Sequence, residues 1–417
     1  MVEAGSKEND GQKCAGMNAS EGLLFDTREW KMSENRKRIL IVAGEASADR
    51  YGARLVEKLR CLRGNDALHF YGTGGDAMQK AGVELLCHVR ALAHIGVREA
   101  LSSLRTYLRT FRHIVNASVQ DPPQVAVLLD FPEFNLRLAK RMKRFGVRVI
   151  YYISPQLWAW RSGRIRAIRD HVDKMLVILP FEEEYYRKRG VEVEFVGHPL
   201  LEDFAPDCDR DSFFMRVGLD RNRKTVAILA GSRRKEIDYI LPPLLQASLR
   251  ILQEIPAQFL ISAAPTVDRE HLETLTQRVL RDNPNRNCFH ILTDDARNLL
   301  ANADFAFVKS GTSSLEAALV GTPFLVAYKI SPFSWWIGSM LIRTSMKGLV
   351  NLIAQEKIVP EFFQGEAEPQ KLARAALKVL QEPEESVAMR LRLAGIRERL
   401  GARCASETAA AAVNAYL

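Results

Sequence analysis

A carboxylate directly follows an apolar run in residues 125–135, which read VAVLLDFPEFN. Five apolar residues precede Asp130, and a proline two residues later prevents the run from continuing as an interior strand. Two interpretations follow: either the aspartate starts a turn, or it stands at the mouth of a site and accepts a proton there. Glu133 is a second carboxylate that such a site could use.

A second motif joins a strand end to arginines, in the sequence TVAILAGSRRKEIDYILPPLL that begins at Thr225. Gly231 and Ser232 form a tight turn into a helix whose first turn holds Arg233 and Arg234. A helix N-terminus presents free N–H groups, and a guanidinium binds phosphate through two parallel hydrogen bonds. The motif predicts a diphosphate site, and the alternative is an ordinary strand-turn-helix with a solvated arginine.

A third motif begins at Ser310 and has the spacing SGT-xxx-E-xxxx-G-x-P. It follows the strand-like run FAFVK and places Glu316 in the first turn of a helix. Ser313 and Glu316 have the spacing of a capping box, which needs no ligand. The same glutamate could instead accept the hydroxyls of a ribose, while the Ser-Gly-Thr backbone meets a phosphate.

The elements that must position these motifs are short apolar runs that alternate with amphipathic helical patterns. The first series reads RILIVAG, LHFYGTGG, VAVLLD, RVIYYIS, KMLVILP and EVEFVGH, and the second reads TVAILAGS, AQFLISAA, CFHILTD, FAFVKSG and PFLVAY. This order predicts an α/β fold of two doubly wound, Rossmann-like domains that face each other across a cleft. Ligands bind beyond the carboxyl ends of the strands in such sheets, which is where all three motifs lie.

The two series are separated by GHPLLEDFAPDCDRDSF, which has no clear period and contains two prolines. We place the domain boundary there. The predicted organisation is a disordered extension over residues 1–35, a first domain over 36–200, a second domain over 201–368, and a helical segment over 369–417. We expect this last segment to pack back on the first domain or on a partner subunit.

The composition excludes several classes of protein. Of 417 residues, 47% are hydrophobic and 26% are charged, which is typical of a soluble globular protein. The six cysteines form no CxxC pair and the eight histidines form no HExxH motif, so we expect no bound metal, no disulfide framework and a reducing cytosol. We also expect no signal peptide, because the first 35 residues lack an apolar central run, and no transmembrane span.

The net charge of +9 is concentrated in residues 137–169. Its cations are Arg137, Lys140, Arg141, Lys143, Arg144, Arg148, Arg161, Arg164, Arg166 and Arg169. Such a patch suits a polyanion, an anionic lipid surface or a phosphorylated substrate, and the alternative is a solvated basic face. Nucleic-acid binding rests on the charge alone, because no RRM, KH or helix-turn-helix pattern is present.

Two further segments are apolar enough to meet lipid. HIGVREALSSLRTYLRTFRHIV, which begins at His94, places apolar residues at helical spacing with arginines on flanking positions. A basic amphipathic helix of this kind lies in a membrane interface or packs on a core. SPFSWWIGSMLIR, which begins at Ser331, could line an acyl groove or fill the core of the second domain.

Together with VAGEASADRYGARLVEKL, DFPEFN, YYISPQLWAWRSGRI, LPFEEEYYRKRGVEVEFVGHP and AGSRRKEI, the third motif makes the chain resemble the lipid-A-disaccharide synthase family. The resemblance runs from about residue 36 to the C-terminus. It implies an inverting, metal-independent glycosyltransferase of the GT-B architecture. The donor would be UDP-2,3-diacylglucosamine, the acceptor 2,3-diacylglucosamine 1-phosphate, and the products the β-1,6-linked lipid A disaccharide 1-phosphate and UDP.

The same resemblance implies no cofactor, a cytoplasmic enzyme that is peripheral on the inner membrane, and a homodimer. It assigns the acceptor and the membrane to the first domain and the UDP-sugar donor to the second. The alternative is another UDP-sugar enzyme of this fold, such as a UDP-N-acetylglucosamine 2-epimerase or a different glycolipid synthase. An epimerase would act on a soluble sugar and would not need the basic amphipathic segment.

Site residues are carried over from the family by position. Asp130 would be the general base, with Glu133 in reserve, and Arg233 would neutralise the leaving diphosphate. The other donor-binding residues would be Gly231, Ser232, Ser310, Gly311, Thr312, Glu316 and Asn351. The acceptor or the cleft wall would be met by Glu45, Ser47, Asp49 and His198, with a helix cap as the alternative for Asp49. Membrane contact would fall on Ile95, Val97, Leu101 and Leu104, which rests on the amphipathic pattern of the segment that begins at His94 together with the acylated substrates that the resemblance implies.

The sequence departs from the family pattern at two positions. Ala48 stands where the family loop GEASGD has its glycine, and Ala230 replaces the proline of Pro-Gly-Ser-Arg. A methyl group at position 48 matters only if the backbone there needs a positive φ or approaches a ligand closely. Neither change removes a reacting group.

Overall fold

The structure is a computed structural model that describes residues 36–90, 100–158, 162–203, 208–264, 267–281, 283–293, 296–331, 348–401 and 403–417. Within the ranges 100–104, 162 and 203 it describes the backbone only. The predicted extension over residues 1–35 and most of the segment SPFSWWIGSMLIR lie outside the described residues.

Two parallel sheets form the framework of the chain. The strands of the first are β1 Lys37–Ala43, β2 Leu68–Gly74, β3 Glu84–His88, β4 Val125–Leu129, β5 Arg148–Tyr152, β6 Lys174–Val177 and β7 Val193–Phe195, in the spatial order β3-β2-β1-β4-β5-β6-β7. Those of the second are β8 Lys224–Leu229, β9 Ala257–Ala263, β10 Phe289–Thr293, β11 Phe305–Lys309, β12 Phe324–Tyr328 and β13 Glu361–Phe363, in the order β10-β9-β8-β11-β12-β13. The predicted α/β fold of two doubly wound domains is confirmed.

Helices cover the faces of both sheets. In the first domain they are α1 Ala46–Arg63, α2 Asp76–Lys80, α3 Ala100–Gln120, α4 Pro132–Arg144, α5 Ile165–His171 and α6 Pro180–Arg187. Later in the chain follow α7 Arg210–Val217, α8 Arg234–Glu254, α9 Arg269–Leu280, α10 Ala296–Ala301, α11 Thr312–Val320, α12 Leu349–Ala354, α13 Pro369–Gln381, α14 Pro383–Arg399 and α15 Ala405–Asn414. Short 3-10 turns lie at Ser162–Arg164, Pro199–Asp203, Pro284–Cys288 and Gln364–Glu366.

The side chains of the strands explain why both faces are covered. Val125–Leu129 is buried at all five positions, and Ile39, Leu40, Ile41 and Val42 of β1 have no exposed surface. A strand that is apolar on both faces needs a layer of helices on each side. The first sheet accordingly separates two apolar cores, and the second sheet with its helices forms a third.

The order of the strands brings the predicted motifs to two switch points. In the first sheet, Ala43 of β1 pairs with Leu129 of β4, so the residues that follow these two strands are neighbours. In the second sheet, Leu229 of β8 pairs with Val308 of β11 in the same way. The chain continues in opposite directions along the sheet on either side of these pairs, which opens a crevice at the carboxyl ends of the strands.

The predicted C-terminal segment divides between the two domains. Helices α13 and α14 pack in the core of the second sheet, through residues such as Leu372 and Leu393. Helix α15 instead lies on α1, with Ala409 and Val413 in a core of the first sheet. Lys37 Nζ donates to the carbonyl oxygen of Leu417 at 2.8 Å, which ties the last residue to the start of β1.

None of the helices in the described part of the chain is both long and apolar enough to cross a bilayer.

Candidate functional site

A cavity of about 340 Å³ lies between the carboxyl ends of the two sheets. Most of its lining comes from the first domain, and Thr312, Leu315 and Leu349 contribute from the second. Asp130, Glu133, Arg164, Glu182 and His198 are its ionisable residues apart from Tyr51. The cavity therefore joins the VAVLLDFPEFN motif to the SGT motif, as expected if both serve one reaction.

The backbone of Asp130 has an unusual conformation. Its φ is 47°, and that of Phe131 is 46°, in the left-handed region that non-glycine residues seldom occupy. The N–H of Asp130 donates to the carbonyl oxygen of Tyr152 at 3.1 Å. Its carbonyl oxygen accepts from Asn135 Nδ2 at 2.8 Å and from the Tyr151 hydroxyl at 2.5 Å. These bonds hold the left-handed turn that directs the chain from β4 into α4.

A glycine makes room for this turn. A Cβ added to Gly44, directly after β1, would lie 2.4 Å from Cγ of Phe131. No real Cβ contact is that short, so the ring of Phe131 can occupy its position only beside a glycine. The Gly of the GEASAD sequence is thus required by the neighbouring DFPEFN motif.

The carboxyl group of Asp130 is partly buried, and burial raises its pKa to about 6. The negative charges of Glu45 and Glu133 raise the pKa further, while a backbone hydrogen bond from Phe131 and the charge of Arg233 lower it. Desolvation disfavours the charged form, and like charges add to that effect. The group is ionised at neutral pH and is more basic than an ordinary aspartate.

Glu133 has a different environment from Asp130. Its side chain is 48% exposed, and its Oε1 lies 2.5 Å from Nη2 of Arg164. Its main-chain oxygen accepts a hydrogen bond from Tyr107 at 2.8 Å. The ion pair holds the carboxylate of Glu133 against the guanidinium of Arg164.

Two buried ionisable groups complete the lining. Glu182 accepts from Ser154 Oγ at 2.7 Å, from Trp158 Nε1 at 3.1 Å and from the N–H of Leu179 at 3.2 Å. Burial nonetheless raises the pKa of Glu182 to about 7. Burial also lowers the pKa of His198 to about 4. Because its Nδ1 accepts from the N–H of Leu200 at 3.1 Å, the neutral imidazole carries its proton on Nε2.

The GEASAD residues belong mainly to a helix, since α1 begins at Ala46. Ser47 and Ala48 line the cavity. Ala48 is buried inside the helix and needs no positive φ, so the alanine fits there without strain. Asp49 is buried, and its carboxylate accepts from the N–H groups of Gly75, Ala77 and Met78 at 2.6–3.1 Å. Asp49 thus caps α2, a helix distant in sequence, and is not among the residues that line the cavity.

On the donor side of the cleft, Arg233 reaches across to the first domain. Its Nη2 lies 3.0 Å from Oε1 of Glu45, and its Nη1 lies 3.4 Å from Oε1 of Glu236. Lys309 Nζ is 3.0 Å from the same Glu236 oxygen. Gly231 has a φ of 126°, and a Cβ there would lie 2.7 Å from Glu236 Oε2. Two cations, a glycine turn and the start of α8 thus meet where a diphosphate was predicted.

The SGT motif places a helix start beside these cations. Gly311 has a φ of 146° and precedes the first residue of α11, Thr312. Among the described residues, no side chain caps this helix, and the helix begins before Ser313. The capping box of Ser313 and Glu316 is therefore wrong. Burial raises the pKa of Glu316, and the charges of Arg50 and Arg297 oppose that shift.

Asn351 has a structural environment. It is fully buried, and its Nδ2 donates to the carbonyl oxygen of Val359 at 2.9 Å and to Glu361 Oε1 at 2.7 Å. Its Oδ1 accepts from the N–H groups of Ile358 and Val359 at 2.9 and 3.0 Å. An amide offers two donors and one acceptor oxygen with two lone pairs, and all are used here. Asn351 therefore holds the chain between α12 and β13, and offers no free group to a donor substrate.

The predicted membrane contacts cannot be placed. Ile95 and Val97 lie outside the described residues, and so do the side chains of Leu101 and Leu104. Among the side chains that the structure describes, no three His, Cys, Asp or Glu residues are grouped so as to hold a metal ion.

The sequence analysis did not identify Glu182 and Ser154 as cavity residues, nor the ion pair of Arg164 with Glu133. Glu182 follows Pro180, which stands at the first position of α6, so the sequence indicates a glutamate in a first helical turn. Its burial against Trp158 depends on a neighbouring loop that no local pattern reveals.

Comparisons with known proteins agree on one family. Residues 39–414 match the family described as lipid-A-disaccharide synthetase. The lipid-A-disaccharide synthase of Syntrophus aciditrophicus (strain SB) is 43% identical over 378 residues, covering 90% of this chain and 97% of that protein. That of Myxococcus xanthus (strain DK1622) is 39% identical over 381 residues, covering 91% and 97%.

Solved structures share the fold at much lower identity. An S. aureus MnaA–UDP co-structure has a TM-score of 0.64 at 12% identity and covers 91% of this chain and 96% of its own. A UDP-GlcNAc 2-epimerase from Neisseria meningitidis, bound to UDP-GlcNAc, has a TM-score of 0.61 at 12% identity, with coverage of 87% and 97%. A calicheamicin glycosyltransferase has a TM-score of 0.56 at 14% identity, with coverage of 92% and 98%. These likenesses establish the GT-B architecture alone.

Proposed function

Because the chain belongs to the lipid-A-disaccharide synthase family, it is a hexosyltransferase of lipid A disaccharide synthesis, and we propose its substrates and mechanism here. The donor is UDP-2,3-diacylglucosamine and the acceptor is 2,3-diacylglucosamine 1-phosphate. The products are the β-1,6-linked disaccharide 1-phosphate and UDP. The epimerase alternative has less support, because its likeness extends to the fold at 12% identity and no further.

The observation that carries this proposal is the carboxyl group of Asp130 in the cleft. It follows β4 at the switch point of the first sheet and lines the cavity that reaches the SGT helix of the second. A general base works best when its pKa lies close to the working pH, and the pKa of Asp130 is raised to about 6. Glu133 is less suited to this role because its carboxylate is held in the ion pair with Arg164.

In the proposed step, the 6-hydroxyl oxygen of the acceptor forms a bond to the anomeric carbon of the donor. Asp130 takes the hydroxyl proton as that bond forms. The bond between the anomeric carbon and the diphosphate oxygen breaks, and its electron pair leaves with UDP. Attack opposite the leaving group inverts the anomeric centre, which gives the β-linkage.

The leaving diphosphate gathers negative charge that the donor side must stabilise. Arg233 and Lys309 supply two cations, and the N-termini of α8 and α11 supply N–H groups. With these groups the transfer needs no metal ion. A diphosphate bound here would take Arg233 from Glu45, its partner across the cleft.

We place the enzyme on the cytoplasmic face of the inner membrane through a basic surface formed by α3 and α4. These helices pack together through Tyr107 and Phe134, whose ring centroids are 5.0 Å apart. The surface consists of Arg105, Arg109, Arg112, Arg137, Lys140, Arg141 and Arg144, with the partly exposed Leu108 among them. Binding to vesicles with anionic lipid that weakens as salt is added would support this placement, and equal binding to neutral vesicles would contradict it.

The transfer itself is tested by UDP release from purified protein in detergent with both lipid substrates and EDTA. Wild-type protein should release UDP only when the acceptor is present. Asp130→Ala should lower kcat by on the order of 100-fold or more, since general-base catalysis contributes that much. Asp66→Ala is the matched control, because its side chain is 97% exposed and does not line the cavity.

Three results would change the proposal. Full activity of Asp130→Ala would move the base, with Glu133→Gln as the next variant. Loss of activity in EDTA that a divalent cation restores would contradict metal independence. Folded protein that releases no UDP would reject these lipid substrates.

A further inference from the structure

Arg164 is the only lysine or arginine among the described residues that line the cavity of Asp130. It ends the 3-10 turn before α5, and its side chain is 22% exposed. The other charged side chains of the lining are the carboxyl groups of Asp130, Glu133 and Glu182. The three carboxyl groups alone would repel an anionic substrate. Arg164 is therefore the group in this lining that could attract one.

The contacts of Arg164 leave part of its guanidinium available. Its Nη2 donates to Glu133 Oε1 at 2.5 Å, and no described residue accepts from its Nε or Nη1. A guanidinium presents five N–H donors in a planar fork that matches two oxygens of a phosphate. Glu133, with its side chain 48% exposed, is a counter-ion that an incoming anion can replace.

The position of Arg164 relative to the base follows from α4. Asp130 precedes this helix and Glu133 lies in its first turn, so the Glu133–Arg164 pair is anchored three residues beyond the proposed base. Arg164 and Asp130 then lie on one wall of the cavity. The donor-side cations, Arg233 and Lys309, belong to the other domain and are paired with Glu236.

We propose that Arg164 binds the phosphate group of the acceptor sugar. The acceptor then enters with its phosphate on Arg164 and its attacking hydroxyl on Asp130, one sugar ring away. Glu133 holds the guanidinium until the phosphate arrives and then releases it. This inference rests on the proposed function, and it adds a second anion site to the cleft, separate from the one for the donor diphosphate.

The test compares two acceptors, diacylglucosamine 1-phosphate and diacylglucosamine without the phosphate, at a fixed donor concentration. The quantity measured is the ratio of their kcat/KM values. Wild-type enzyme should prefer the phosphorylated acceptor by on the order of 10- to 100-fold, which corresponds to one charge-assisted contact. In Arg164→Gln this ratio should fall to about one, because both acceptors then lack the contact.

Two further variants sharpen the comparison. Arg166→Gln removes the same charge from an exposed position two residues away that does not line the cavity, and it should keep the wild-type ratio. Arg164→Lys keeps the charge without the planar fork and should give an intermediate ratio, which also decides the matter if Arg164→Gln does not fold. Glu133→Gln removes the competing carboxylate and should increase the ratio.

An unchanged ratio in Arg164→Gln overturns the proposal, whatever happens to the absolute rates, since a residue that only supports the fold slows both acceptors alike. A binding measurement separates this outcome from failure of the proposed function. In a titration followed by phosphorus NMR, glucosamine 1-phosphate should bind wild-type and Arg166→Gln protein and bind Arg164→Gln several-fold more weakly. Equal binding to all three proteins would exclude Arg164 even if no lipid acceptor were turned over.

Discussion

The charge of Glu45 contributes to the raised pKa of Asp130 and so to the pH at which Asp130 can act as a base. After burial, Glu45 is the largest contributor to the raised pKa of Asp130, which is about 6. Because the base must be ionised, kcat/KM should rise with pH to a plateau, with about one tenth of the plateau value at pH 5. Glu45→Gln removes a like charge, so the acid limb should move to lower pH. If the pKa of Asp130 fell by one unit in this variant, the ionised fraction of Asp130 at pH 5 would rise from about one tenth to about one half.

The assay is acceptor-dependent UDP release between pH 4.5 and 8.5 at constant ionic strength, with each profile normalised to its own plateau. Normalisation separates the titration from any loss of binding that Glu45→Gln causes. Glu57→Gln, at an exposed position on helix α1, which Glu45 directly precedes, is the matched control and should leave the acid limb in place. An acid limb that is absent, or that stays in place in Glu45→Gln, would refute the assignment of the titrating base to Asp130.

The same pKa predicts a stability effect that needs no substrate. The folded pKa, about 6, lies above the ordinary value of 3.8, so between these pH values the folded protein binds a proton that the unfolded chain does not. Stability from this group is therefore gained as the pH falls through 6, and the penalty for the buried charge is present at neutral pH. Asp130→Asn should raise Tm at pH 8, and the gain should shrink at pH 4. A Tm difference that does not depend on pH would contradict the raised pKa.

Two further substitutions probe the turn that carries Asp130. Tyr151→Phe removes the hydroxyl that donates to the carbonyl oxygen of Asp130, and it should lower kcat by roughly tenfold, as expected for one lost hydrogen bond at a reacting group. Tyr71→Phe is an equally buried change in the same sheet and should not lower kcat. Equal kcat values for the two variants would argue against the positioning role of Tyr151. Gly44→Ala should abolish most of the UDP release while calorimetry shows that the protein still unfolds as a folded protein does, because the new methyl group displaces the ring of Phe131. An active variant would show that the turn tolerates this displacement.

Much of the framework could be predicted from the sequence because its strands are apolar on both faces. Val125–Leu129 is buried at every position, and such runs are visible as continuous apolar stretches. The edge strands β3 and β13 were not predicted. Glu84 of β3 is exposed and Glu361 of β13 only partly buried, so neither strand is a continuous apolar run. Their strand conformation comes from pairing with β2 and β12, which local periodicity does not reveal.

The site residues, too, could be predicted where a local pattern marks them and could not where their role depends on residues distant in the chain. Asp130, Arg233 and Gly311 follow strand ends, and the switch points of parallel sheets bring strand ends together, so sequence reasoning could predict their shared location. Asp49 bonds to N–H groups 26 to 29 residues away, and Asn351 bonds to a strand that follows it. The resemblance assigns both to substrates, with a helix cap as the alternative for Asp49. No short-range pattern distinguishes a buried polar side chain that meets a ligand from one that meets its own backbone.

Helix α15 gives the two domains a second physical connection. The chain passes from the first domain to the second once, and returns after Gly401 to place Ala409 and Val413 against α1. Two crossings of the chain restrict the relative movement of the lobes more than one crossing would. Glu202 reinforces the second crossing, because its carboxylate accepts from the N–H and the hydroxyl of Ser406, both at 2.7 Å, at the start of α15. The separation of Asp130 from the donor cations is then limited by both crossings.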